Sequence, residues 1–149
     1  MIQYYIVFLL LIVSCGSAPP PSKDNDAVQE EFKPYYNDFI DDLNIRNRKV
    51  SYGNIAIKFD VMRSPRNVGE CHYLYPKHTV KINKRYWDNS SDAIKKIIIY
   101  HELGHCMLYK GHNSELNSIN QPISIMHPKG LYASVFLRDE IQYINELMK

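Results

Sequence analysis

Residues 101–112 read HELGHCMLYKGH. His101 and His105 are four positions apart. On a helix turning about 100° per residue they are offset by roughly 40°, so both imidazoles leave one face. Two neutral ring nitrogens at that spacing can share one zinc ion. Glu102 points in a neighbouring direction, placed to take a proton from a water activated at the metal without being a ligand itself. A hydrolytic site uses three protein ligands and keeps one position open for water. His112 is the candidate for the third. Gly111, just before it, is expected to take positive φ, end the helix and let the chain swing His112 back to the metal. Gly104, between the two histidines, is expected to allow close packing of this helix on a sheet.

The flanking sequence sets that helix in an α+β frame. Asn89-Ser90-Ser91-Asp92 offers caps before AIKKIII at 93–99, so one helix is expected from there toward Tyr109. Residues 71–75 and 79–83 are strand candidates separated by Pro76-Lys77, and IAIKF at 55–59 alternates like a half-buried strand. Pro65 and Gly69 mark residues 64–69 as a loop. Residues 26–45 place Val28, Phe32, Tyr35 or Tyr36, Phe39 and Leu43 at helical spacing, with Pro34 expected to kink or split the helix. Residues 134–148 read as a further helix with Phe136, Ile141, Ile144 and Met148 as its apolar stripe. The expected architecture is a mixed, few-stranded sheet packed on the histidine-bearing helix, with a C-terminal helix.

HELGHCMLYKGH followed by SIMHP at 124–128 resembles the metzincin metalloproteases. Those proteins carry a HExxHxxGxxH zinc helix and a later tight turn with a methionine beneath the metal. The resemblance implies a small, minimal metzincin-like domain with one zinc on His101, His105 and His112. It makes Glu102 the general base for peptide-bond hydrolysis and Met126 a packing residue under the site. It also implies that a strand before the zinc helix pairs with an extended peptide or protein substrate, its edge lying within residues 71–83. Three positions depart from the family pattern. Residue 108 is Leu, the glycine falls at 111, and His112 lies seven positions after His105, not six. The helix is therefore expected to run nearly one turn longer. Pro128 stands where some members place an extra tyrosine ligand.

Other side chains compete for the metal. Glu140 is the alternative third ligand, in the manner of thermolysin, although it leaves SIMHP without a role. His127 is expected to point near the cleft without ligating, and His72 and His78 to be surface or groove residues. Two other functions share the same motifs: a non-catalytic zinc-binding envelope lipoprotein, and a hydrolase of peptidoglycan peptides. Glu102 favours catalysis, because a structural site needs no general base.

The N-terminus carries an address. MIQYYIVFLLLIVSC contains an apolar run at 6–13, too short to span a bilayer and suited to a signal-peptide core. Ile12-Val13-Ser14-Cys15 resembles the lipobox of bacterial lipoproteins, which implies cleavage before Cys15 and its acylation. The n-region has no Lys or Arg. GSAPPPSKDND then reads as a tether. The expected organisation is a signal peptide at 1–14, a lipidated Cys15 and Pro-rich tether at 15–25, and a peptidase domain at 26–149. The lipid anchor implies a cell-envelope location, at the outer membrane in a Gram-negative cell. With Cys15 acylated, Cys71 and Cys106 remain, and outside the cytoplasm such a pair is expected to be oxidised.

The remaining numbers bound the class. A chain of 149 residues has room for one domain, and 45% hydrophobic residues can fill a core. A net charge of +2 with interspersed signs predicts no nucleic-acid surface. A monomer is expected.

Overall fold

A computed structural model describes residues 27–50, 54–74 and 77–149. The signal peptide, Cys15 and the tether expected at 1–25 lie outside the described residues. Among the described residues no helix is long and apolar enough to cross a membrane.

The chain is α+β. Helix α1 spans Lys33–Ile45, strand β1 Asn54–Phe59, β2 Gly69–Leu74 and β3 Lys77–Ile82. A short α2 at Lys84–Asp88 precedes the long α3 at Asp92–Leu108, and α4 (Ala133–Arg138) and α5 (Glu140–Leu147) close the chain. The sheet has the order β1-β3-β2. β3 runs parallel to β1 and antiparallel to β2. β2 and β3 flank residues 75–76, and so short a connection permits only antiparallel pairing. The outer side of β1 is covered: Gln29 N–H donates to the Ile57 carbonyl, and Ile57 N–H to that of Ala27. That cover helps explain why Ile55, Ala56 and Ile57 are all buried, where the sequence pattern suggests a half-buried strand. β2 is the other edge.

Two helices begin or end differently from the sequence expectation. Pro34 does not kink α1. It sits in the first turn, where its missing N–H leaves nothing unsatisfied. Upstream, Val28 joins the sheet opposite Ile57 and Glu30–Phe32 makes a 3₁₀ turn. The C-terminal helix is two helices, broken at Asp139 (φ −134°, ψ 36°). The break resets the helical phase. Phe136, Ile144 and Met148 are buried as expected, but Ile141 faces solvent and Tyr143 and Leu147 turn inward.

The core lies between the sheet, α1 and α3. Phe32 meets Phe59 and Trp87 edge-on, with ring centroids 4.7 and 4.8 Å apart. Phe39 packs edge-on against Tyr100 at 5.1 Å, and the Tyr100 hydroxyl donates to Asp42 Oδ2 at 2.6 Å. These contacts fix α3 on α1 one residue before His101. Ser91 caps α3 by accepting from Ile94 N–H. A disulfide joins Cys71 of β2 to Cys106 of α3, with Cα atoms 5.6 Å apart. It closes a separation of 35 residues, which in the chain-entropy account stabilises by roughly 3–4 kcal/mol. Cys71→Ala/Cys106→Ala is expected to lower the melting temperature by about 10 °C or more. Unchanged unfolding of that variant in calorimetry would refute a stabilising bridge.

Candidate metal centre

His101 and His105 leave the same face of α3, as their spacing requires. The residue that ends α3 is Tyr109, not Gly111. Tyr109 takes the left-handed conformation (φ 55°), its N–H donates to the His105 carbonyl at 3.1 Å, and Lys110 N–H donates to that of Gly104 at 3.0 Å. Gly111 is not a positive-φ residue, so the chain has already turned when it reaches His112. The result is nevertheless the expected one: one ring nitrogen from each of His101, His105 and His112 lies within 4.8 Å of the other two. Among the described residues no other group of histidine, cysteine and carboxylate side chains is arranged to hold a metal.

The finer geometry fits an ion. His105 Nε2 is 3.2 Å from His101 Nε2 and 3.3 Å from His112 Nε2. Two imidazoles on one tetrahedral ion place their nitrogens about 3.3–3.4 Å apart. His101 Nδ1 lies 2.8 Å from the Ile125 carbonyl and His105 Nδ1 2.7 Å from the Lys110 carbonyl. A carbonyl only accepts, so each Nδ1 carries the proton and each Nε2 presents its lone pair inward. This is how backbone acceptors orient metal-binding histidines. Burial also holds the His101 imidazole down to about 4, with smaller contributions from His105, His112 and His127, and His105 is lowered for the same leading reason. The His101 and His105 rings are therefore neutral near neutral pH, as ligation requires.

Ser124, Ile125, Met126 and His127 make the turn beneath the site. His127 N–H donates to the Ser124 carbonyl at 3.2 Å, and Asn113 N–H donates to the Met126 carbonyl at 3.0 Å. The second bond ties the turn to the residue after His112. Ser124 Oγ donates to Glu146 Oε2 at 2.8 Å and accepts from Met126 N–H at 3.0 Å, so α5 anchors the turn. Met126 is buried. Gly104 packs on this turn and not on the sheet. A Cβ there would meet Met126 Sδ at 2.5 Å and Leu147 Cδ1 at 3.1 Å.

The other candidates go elsewhere. Glu140 pairs with Lys96 at 2.7 Å, on the turn of α3 before the histidines. His127 is buried, and its Nδ1 accepts from Lys129 N–H at 3.3 Å. His72 pairs with Glu70 at 3.1 Å on β2. His78 is not on the surface; it is buried, its Nδ1 2.8 Å from the Cys106 carbonyl.

Glu102 lies beside the triad and outside it. It is 7% exposed, and among the described residues no hydrogen bond reaches its carboxylate. Burial first, and the charge of Glu70 second, push its pKa up to about 8. Sequence reasoning missed what surrounds it. Gly69, read as a loop residue, begins β2 and lies against the Glu102 side chain. Tyr73, two turns of the pleat further on, donates from its hydroxyl to the His105 carbonyl at 2.7 Å. Neither residue carries a local signal, because each acts through a strand-to-helix contact.

Glu102 and His101 make opposite contributions to stability in metal-free protein. Folded Glu102 keeps its proton to about pH 8, whereas an unfolded carboxyl releases it near 4.5. Folding then binds a proton, so stability falls as pH rises through that window. His101 is neutral in the fold down to about 4 but takes a proton below 6.5 when unfolded. Its contribution is lost as pH falls from 6.5 toward 4. Metal-free protein is thus expected to lose stability between about pH 6.5 and 8, and Glu102→Gln to flatten that decline in denaturant titrations. A decline of equal slope in the variant would show that Glu102 is not its source.

No protein-family model, curated protein or solved structure matches the chain.

Proposed function

We propose that this chain is a metzincin-like zinc metallopeptidase that hydrolyses peptide bonds with Glu102 as general base. The observation that carries the reading is the convergence of three imidazoles, His105 Nε2 lying 3.2 and 3.3 Å from those of His101 and His112, next in the chain to a buried carboxylate that no hydrogen bond reaches among the described residues. A structural centre would place a fourth ligand there; this one places a base. Three imidazole ligands with an open position suit zinc. When bound, the ion supplies Lewis-acid activation of water and of the scissile carbonyl.

The protein's own groups do the rest. His101, His105 and His112 hold the ion, with the first two fixed by the Ile125 and Lys110 carbonyls. The Glu102 carboxylate accepts a proton from the attacking water and returns it to the departing amine nitrogen. Met126 packs against Gly104 and supports the helix between His101 and His105. The substrate edge is refined relative to the sequence expectation. The strand next to the zinc helix in sequence, β3, is central and has a partner on each side. The edge available for an extended peptide is therefore β2, which packs on α3 and bears Gly69 next to Glu102. The lipobox at Cys15 supports an envelope-tethered enzyme acting on peptides or proteins outside the cytoplasm.

The test is cleavage of a mixed peptide library by zinc-loaded residues 16–149, read by mass spectrometry beside Glu102→Gln. Cuts made only by the native sequence support the reading. A zinc-loaded protein that cuts neither library peptides nor peptidoglycan peptides would make the centre non-catalytic.

A further inference from the structure

Three contacts run in register between β2 and α3. Gly69, Cys71 and Tyr73 alternate along β2 and so share one face. Glu102 and Cys106 are one helical turn apart on α3 and share another. Gly69 lies on Glu102, Cys71 is bonded to Cys106, and Tyr73 is hydrogen-bonded to the His105 carbonyl. The first contact has room for no side chain on the strand. A Cβ at Gly69 would lie 2.7 Å from Glu102 Oε1, 2.8 Å from Cγ and 2.9 Å from Cδ. Real Cβ atoms essentially never approach other heavy atoms so closely.

We propose that Gly69 is a positioning residue for Glu102: the bare backbone of β2 at this point is the wall that sets where the general base stands. The inference rests on the hydrolase reading above. It turns on which partner yields when the wall is thickened. β2 is held to α3 by the disulfide two residues on and by Tyr73 two residues beyond that, and to β3 by pairing of Gly69 with Ile82. The strand therefore stays and the carboxylate moves. Restoring ordinary contact needs a displacement approaching 1 Å, an error that can cost about a hundredfold in rate at a reacting group. The three atoms nearest the added methyl all belong to Glu102 and none to a histidine, so metal binding is expected to be unaffected.

The experiment is a double-mutant cycle of native protein, Gly69→Ala, Glu102→Ala and the double variant. Each is zinc-loaded and assayed for zinc content, denaturant unfolding and steady-state kinetics on a peptide the native protein cleaves. All four are expected to hold one zinc. Gly69→Ala is expected to lower kcat by about 10- to 100-fold with KM nearly unchanged. It is expected to weaken folding only where Glu102 is present, because removing the carboxylate side chain leaves space for the methyl. A Gly69→Ala protein with native kcat overturns the proposal. So does equal loss of stability in both backgrounds, or failure of both Gly69→Ala proteins to fold, since either marks a lesion of the strand and not of the contact. Should native protein cleave nothing, the hydrolase reading falls and takes the catalytic role with it; native cleavage with an indifferent Gly69→Ala sinks this inference alone.

Discussion

Glu102→Gln is expected to reduce peptide turnover by about two to four orders of magnitude while zinc content stays at one per chain. The amide keeps the shape of the side chain and its contact with Gly69, so the fold and the three histidines are undisturbed. It removes only the capacity to accept a proton. The carboxylate suits the task for a physical reason. It is buried, without a hydrogen bond among the described residues, and raised toward neutrality, so its proton affinity is high for a carboxyl group. A cation held by the adjacent histidines would lower that affinity again. Parallel measurement of turnover and bound zinc checks this. A variant that loses its zinc would make Glu102 a structural element of the centre, and one that retains native turnover would exclude it as the base.

Zinc itself is expected to stabilise the fold by about 4 kcal/mol when free ion stands a thousandfold above its dissociation constant. The ion binds the folded triad and has no preformed site in the unfolded chain. At this chain length that corresponds to a rise in melting temperature of about 10 °C or more. His105→Ala is expected to abolish the rise, because its Nε2 is the atom within 3.3 Å of both other ligands. His112→Ala is the more informative partner variant. It removes the one ligand whose distance from the motif departs from the metzincin pattern. Thermal unfolding with and without zinc reads both. A full zinc shift in His112→Ala would assign the third position to another group, and Glu140, held by Lys96, is already accounted for elsewhere.

Much of the site was legible before any fold was known, and the residues show where legibility stops. The helix carrying His101, Glu102 and His105 follows from a capped apolar run and a four-residue spacing, both properties of backbone periodicity. SIMHP was legible as a turn, which packs through Met126 on Gly104 of the histidine helix, and Cys71 with Cys106 as an oxidised pair. The errors share one origin. Gly111 was expected to end α3 because glycine tolerates positive φ, but Tyr109 takes that conformation, its N–H and that of Lys110 closing the last turn on the carbonyls of His105 and Gly104. Ile141 was placed on an apolar stripe that a break at Asp139 rotates out of phase. Gly104 was assigned to the sheet and instead makes room for Met126 and Leu147.

The sequence by itself determined the histidine–glutamate–histidine helix and the α+β composition, and it singled out the three histidines that the fold brings together. Local spacing dictates which groups share a helix face, and no distant contact alters it. Tertiary structure alone decided that the Ile125 and Lys110 carbonyls fix the ring tautomers, that β2 and not β3 is the open edge, and that Gly69 stands against Glu102. Those outcomes depend on which backbone atoms meet across the fold, and residues 69 and 102 carry no mark in the chain of a contact that only packing creates.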